Sequence, residues 1–486
     1  MTSKSMQSLS HDVKLSCNMG ELVPIACFEA VPSDKIDQST ACLLRTQPLV
    51  SPVMHEVKVD IQTWFVPNRL IWDDWDSFWT GGADGMDASV APTIESPSIT
   101  GFAEGTLGDY LGVPTGVPNK IVSALPFRAY QLIWNTWYRD EDLQSEASIG
   151  TASGVDITTS RSLQFGCWEK DYFTSARPAP QKGPAVTIPL VGTAPVEAAS
   201  AALTKSSVEV AGVNKQLRTQ NANTDVYVSN VTDNTNPLFV DGTAFSSFNI
   251  DDLRLGAALQ RFAENISRFG NRPIERLMQA FGVRPEDYRL QLPEYLGGGQ
   301  QRIQFSEVLA TAESTGVEIG DMKGHGIAAL RSNRYRYHAK EYGIIITLMC
   351  VRPRTQYIQG LNKMWMRSTK EDYLMPELVD LGQQEVLNQE VYLAHTTPLG
   401  VFGYQDRYDE YRTIPSRIAG EFRSSLDIWH MARKFTSDPA LNSSFVQSNP
   451  TTRIYSVTSG DQLYISAKHK IKAVRPMPKR SRPRLM

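Results

Sequence analysis

The sequence predicts a β-rich protein with large loop and helical insertions between the strands. Three observations carry this. Val57, Val59, Ile61 and Phe65 alternate with Glu56, Lys58, Asp60 and Gln62, so one face of a strand is buried and the other is wet or meets a partner. Glu341–Val351 is a near-continuous apolar run, which reads as a buried strand. The 28 prolines and 33 glycines imply many turns and few long helices.

In chain order, residues 1–20 are polar and read as an extended N-terminal arm. Glu21–Phe28 is β-like, with Pro24 suited to a strand start or an edge. A second strand is predicted over 41–47 and a third over 53–66. Pro67 ends the third because it has no N–H to donate. Asn68 is placed to cap a helix on which Ile71, Trp75, Phe78 and Trp79 share a side. The rings of Trp72, Trp75 and Trp79 then need burial, against the fold or against another subunit.

Residues 81–120 are rich in Gly, Pro, Ser and Thr and read as a long surface loop. Pro126 starts a helix lined by Phe127, Tyr130, Trp134, Trp137 and Tyr138, a stripe expected in the core or at a subunit contact. Residues 184–250 change character, with eight charged positions among 67 and no Trp. They read as an insertion with modest β structure of its own. Helices follow over 251–269 and 273–281, the second stopped by Gly282. Residues 316–326 read as a Gly-rich loop, and the last strand spans 462–474.

The chain of 486 residues is 41% hydrophobic and 21% charged, which excludes wholesale disorder. Its net charge is −3, yet Lys468, Lys470, Lys472, Arg475, Lys479, Arg480, Arg482 and Arg484 follow one another with no acid between them. A Pro-spaced tail of that kind has the composition of arms that neutralise phosphate. Cys17, Cys27, Cys42, Cys167 and Cys350 are odd in number, widely spaced and without metal-site spacing, so reduced thiols are expected. The N-terminus lacks a signal-peptide core, and no apolar run approaches the roughly 20 residues that span a bilayer. A reducing cytosol, or a particle built there, is the expected setting.

Several candidate sites reduce to structure. GGGQQR at 297–302 has no Lys-Ser/Thr and is no phosphate loop. KGHG at 323–326 reads as a loop tip, and His338 with Glu341 lacks a second histidine at metal spacing. Asp73, Asp74 and Asp76 fit the first turn of the Trp-bearing helix. Asp406, Asp409 and Glu410 are the best carboxylate cluster for acid–base work, but Arg407 and Arg412 are interleaved as salt-bridge partners.

Six strings support a stronger reading: FVPNRLIWDDW at 65–75, LPFRAYQLIWNTWYRDEDL at 125–143, DYFTSARPAPQKG at 171–183, RLQLPEYLGGG at 289–299, FGYQDRYDEYRTIPSRIAGEFRSSLDIWH at 402–430 and LNSSFVQSNP at 441–450. Together they resemble the major capsid proteins of the Microviridae, small icosahedral single-stranded DNA bacteriophages, and most of all the gokushovirus-type branch. Glu21 stands where Asp is more usual, and the C-terminus is more basic than in many relatives.

The resemblance implies an all-β, eight-stranded antiparallel jelly roll, a β-sandwich with large loop and helical insertions. It divides the chain into an arm (1–20), a first core part (21–183), a variable insertion forming a surface protrusion (184–250), a second core part (251–466) and the last strand end with the basic tail (467–486). It implies a T=1 shell of about sixty copies around circular single-stranded DNA, and no catalysis, cofactor, metal or membrane. Expected partners are further copies of the chain, the viral DNA, a bacterial surface receptor met by 184–250, and, as candidates, a small basic DNA-condensing protein and a pilot protein. The eight tail cations are the expected DNA contacts; Trp72, Trp75, Trp79, Trp134 and Trp137 are the expected core or subunit contacts. The rival reading is a sugar-binding or sugar-active β-sandwich using Asp406 and Glu410. A DNA-binding protein that forms no shell fits poorly with the near-neutral bulk of the chain.

Overall fold

Eight strands build two sheets: β1 (His11–Cys17), β2 (Leu22–Ala30), β3 (Lys35–Thr46), β4 (Val57–Pro67), β5 (Glu294–Arg302), β6 (Met322–Arg331), β7 (Gly343–Pro353) and β8 (Leu463–Arg475). The computed structural model describes residues 4–184, 186, 250–269, 272–309 and 322–479, with five short strands between 196 and 240. One sheet has the order β1-β8-β3-β6 and the other β2-β7-β4-β5, with every neighbouring pair antiparallel. That order is two Greek keys folded into a jelly roll. Ser5–Ser8 extends β1 along β8, Tyr335–His338 extends β6 along β3, and Gln304–Leu309 adds an outer edge to β6. The insertions lie between β4 and β5 and between β7 and β8.

The period-2 pattern becomes the core between the sheets. Val23 and Ile25 of β2, Leu44 of β3, Val57, Val59 and Ile61 of β4, Met349 and Val351 of β7, and Ile465 and Ala467 of β8 pack there in one buried cluster. Each fully buried Val, Leu or Ile side chain contributes about 1.5–3 kcal/mol relative to exposure. β7 is buried on both faces, as its unbroken apolar run predicts. Its second face, with Ile344, Ile346 and Leu348, meets Phe127, Tyr130 and Trp134 of the 125–138 segment.

That segment is the α-helix Leu125–Ile133 followed by a π-helical turn, Trp134–Tyr138. The turn brings Trp137 onto Trp64 of β4, with ring centroids 5.1 Å apart. Tyr130 Oη donates to the Leu22 carbonyl at 2.8 Å, which satisfies a buried hydroxyl and ties the helix to β2.

The chain divides into two compact units, one of which is Gln181–Ser267. It holds a three-stranded antiparallel sheet of Ser206–Val210, Val213–Thr219 and Val226–Ser229, a strand pair Val196–Ala198 with Leu238–Val240, and most of the helix Ile250–Phe269. Most of the 184–250 segment lies outside the described residues.

Several local expectations are corrected. Residues 5–17 are extended as expected but are paired along β8 and belong to the sheet, not to an arm. The 81–120 stretch sends Ile94, Phe102 and Leu107 into the buried cluster under the helix. The glycines of KGHG lie in β6, not in a loop, and those of 297–299 lie in β5. A Cβ on Gly298 would sit 2.3 Å from the Ile61 carbonyl oxygen, and one on Gly324 would sit 2.6 Å from that of Ser51. Glycine is used there because another backbone passes too close for any side chain. Asn68 makes no cap. A 3-10 turn covers Asn68–Leu70 and the helix begins only at Trp75. Asp73 and Asp74 instead accept hydrogen bonds from Thr151 and Ser153, each at 2.6 Å, leaving Asp76 in the first turn.

Candidate nucleic-acid interface

β8 sorts its side chains by parity. Ile465, Ala467, His469, Ile471 and Ala473 point into the sandwich, while Tyr464, Ser466, Lys468, Lys470 and Lys472 are exposed on the outer face. The three lysines therefore stand in one row, about 6.8 Å apart at a rise of about 3.4 Å per residue. Among the described residues none of the three has an acidic ion-pair partner. Arg475 differs: its Nε donates to Asp34 Oδ2 at 3.1 Å and its Nη2 to the Glu29 carbonyl at 2.7 Å. Asp34 is fully buried, so Arg475 is an anchor that fixes where the strand ends. Lys479 is exposed, and Arg480, Arg482 and Arg484 lie outside the described residues.

Strand register adds cations that no local motif marks. Lys468 pairs across to Ala41 and Tyr464 to Arg45 on β3, while Arg331 and Ile327 of β6 flank the same two positions. Lys14, Lys35, Arg45, Lys323, Arg331 and Arg336 are all exposed on the face that carries the lysine row. Its strands carry Asp12, opposite Lys468, and Asp37, opposite Lys472, and Asp461 reaches its edge to accept from Ser16 Oγ. Hydrogen bonding and charge from Arg334 hold the Asp37 carboxyl below its usual range, with Arg336 adding to the effect.

A family described as "Capsid protein (F protein)" matches residues 1–485 of the sequence. The chain belongs to this capsid protein family. It is 35% identical to capsid protein VP1 of Bdellovibrio phage phiMH2K, over 95% of this chain and 91% of that one. It is 32% identical to capsid protein VP1 of Chlamydia phage 1, over 98% and 94%. Identity to capsid protein VP1 of Spiroplasma virus 4 is 29%, over 99% and 95%. The Microviridae major capsid protein expected from the six strings is thus what the chain is.

In this capsid protein the five tryptophans expected as core or subunit contacts, of nine in the chain, divide. Trp72 and Trp134 are core, with Trp72 Nε1 donating to Ser153 Oγ at 2.8 Å and Trp134 Nε1 to the Phe165 carbonyl at 2.9 Å. Trp137 is half-buried and donates to the Pro293 carbonyl at 3.1 Å. Trp75 and Trp79 both lie against Tyr342, and Trp79 keeps 59% of its surface exposed beside Phe78 at 44%.

The carboxylates of the rival reading are committed elsewhere. Asp406 receives Arg268 Nε at 2.6 Å and Arg412 Nη1 at 3.4 Å. Glu410 receives Gln384 Nε2 at 2.6 Å and has Arg367 3.6 Å away. Among the described residues no group of three or more His, Cys, Asp or Glu side chains is arranged to hold a metal ion. Nor is any described helix long and apolar enough to cross a membrane.

Proposed function

We propose that this capsid protein self-assembles, about sixty copies under closed symmetry, into a T=1 shell around circular single-stranded DNA. The observation that carries the reading is the jelly roll with the β1-β8-β3-β6 and β2-β7-β4-β5 order, in a chain matched end to end by a capsid family. The shell forms in the cytoplasm of a bacterial host, and the protein catalyses no reaction. Trp79 and Phe78, exposed at the edge of the sandwich, are covered by a neighbouring copy. Lys468, Lys470, Lys472 and the tail cations Lys479, Arg480, Arg482 and Arg484 hold the genome without sequence preference. Arg475 is left out of that set because Asp34 occupies it. Seven phosphate contacts correspond to a salt slope of about −5 for a single strand. The 184–250 segment forms the protrusion that meets the host surface. A small basic DNA-condensing protein and a pilot protein are further candidate partners.

Expression of the chain followed by negative-stain microscopy tests the reading. Closed particles of uniform diameter support it, and a dispersed monomer under every condition rejects it. Removing Pro478–Met486, which carries four cations and leaves β8 intact, is expected to preserve particles and lower their DNA content.

A further inference from the structure

We infer that the outer face of the β1-β8-β3-β6 sheet is a platform for single-stranded nucleic acid. The inference rests on the genome-enclosing reading above and adds to it six cations from three other strands. Lys14 lies on β1, Lys35 and Arg45 on β3, Lys323 and Arg331 on β6, and Arg336 on the segment that prolongs β6. With the β8 row they set nine exposed cations against Asp12, Asp37 and, at the edge, Asp461, and Asp37 is already engaged by Arg336 and Arg334. Such an excess on one sheet face is repulsive within the monomer and is relieved by a polyanion.

The shape selects among polyanions. Among the described residues no buried cluster covers this face, and small exposed residues (Ala41, Ala329 and Ser466) leave room between the charges. The i, i+2 spacing of Lys468, Lys470 and Lys472 repeats at about 6.8 Å, twice the roughly 3.4 Å rise per phosphate of a stacked strand. Tyr464 and Leu43, 48% and 41% exposed, lie among the cations. A sheet that offers an aromatic ring beside cations suits unpaired bases, which stack on it while their phosphates meet the charges. The tail starts at the corner of the same sheet, where Arg475 is tied to Asp34 and Ser5 Oγ donates to the Met477 carbonyl at 2.7 Å.

Titrating dissociated full-length subunits with a 30-nucleotide oligo-dT at several salt concentrations tests this. The triple variant Lys14→Gln/Arg45→Gln/Arg331→Gln should lower the magnitude of the salt slope by about 2, at about 0.7 per lost contact. The Pro478–Met486 deletion should lower it by about 3. Tyr464→Ala should weaken binding about fivefold or more without moving the slope. The charge-retaining set Lys14→Arg/Arg45→Lys/Arg331→Lys should keep the parent slope. If the deletion lowers the slope and the triple variant does not, the platform is wrong and the tail reading stands. If neither moves it, both are wrong. Loss of slope in the charge-retaining set overturns the platform, because shape and not charge would then be at work. Polyglutamate of equal charge competing as well as oligo-dT would overturn it too, by pointing to an acidic protein.

Discussion

Arg128 and Asp156 meet at 2.7 Å with both side chains 1% exposed. The guanidinium also donates to the Ile71 and Ala152 carbonyls, each at 2.9 Å. Asp156 accepts from the Thr158 and Thr159 backbone N–H groups at 3.0 and 2.9 Å and from Thr159 Oγ1 at 2.5 Å. One ion pair therefore joins the covering helix, the chain after β4 and the 150–159 loop, with a hydrogen bond from each of the three guanidinium nitrogens. Burial opposes ionisation of Asp156, but hydrogen bonds from Thr159, Arg128 and Thr158 outweigh it and hold the carboxyl well below its usual range.

Arg128→Ala should destabilise the subunit by about 3–5 kcal/mol, because it leaves a buried carboxylate without its partner. Urea unfolding of dissociated subunits measures this. A depressed carboxylate contributes stability that is full above its unfolded value near 3.9 and is lost as pH falls from there toward the folded value. The Arg128→Ala penalty should accordingly shrink below about pH 4.

His469 is fully buried on the inner face of β8, with Nδ1 2.9 Å from Thr40 Oγ1 and its ring 4.9 Å from that of His11. Burial, reinforced by His11, pulls it down to about 4, and burial does the same to His55. The folded state then holds fewer protons than the unfolded chain between pH 6.5 and 4. Stability should fall as pH drops through that window, by up to about 1.4 kcal/mol per pH unit for each histidine. His469→Gln should remove one such share; an unchanged pH slope in that variant would refute the assignment.

The five thiols should resist modification in the native protein. Burial pushes Cys27 and Cys42 up to about 12 and Cys350 up to about 11, and it raises Cys17 and Cys167 as well. Thiolate is the reactive form, so a disulfide reagent at pH 8 should count close to zero thiols before denaturation and five after it.

Gly298→Ala should separate β4 from β5, since the added Cβ would fall 2.3 Å from the Ile61 carbonyl oxygen. The expected loss is about 1–3 kcal/mol or more, read as a lower urea midpoint and fewer particles.

The extent to which the fold is legible depends on what each strand buries. β4 and β8 alternate, and β7 is apolar throughout, so burial wrote itself into their patterns. β5 and β6 carry Gly297–Gly299, Gly324 and Gly326, and glycine reads as a turn unless the passing backbone is known. β1 is half-exposed and polar on its outer side, so it resembles an arm until β8 pairs with it. At the candidate interface, Lys468, Lys470 and Lys472 are legible in the sequence as part of the basic run, and the strand turns them into a row on one face. Lys14, Arg45 and Arg331 are not, because only register brings strands so distant in sequence onto one face. Asp34, which removes Arg475 from the set, is 441 residues away along the chain.

The central claim is closed assembly, and the mass of the DNA-free particle tests it most directly. Sixty copies of a 54.2 kDa chain give about 3.3 MDa. Charge-detection mass spectrometry of purified particles should find a single species at that mass. A distribution of small oligomers, or a monomer that never closes, would contradict the account.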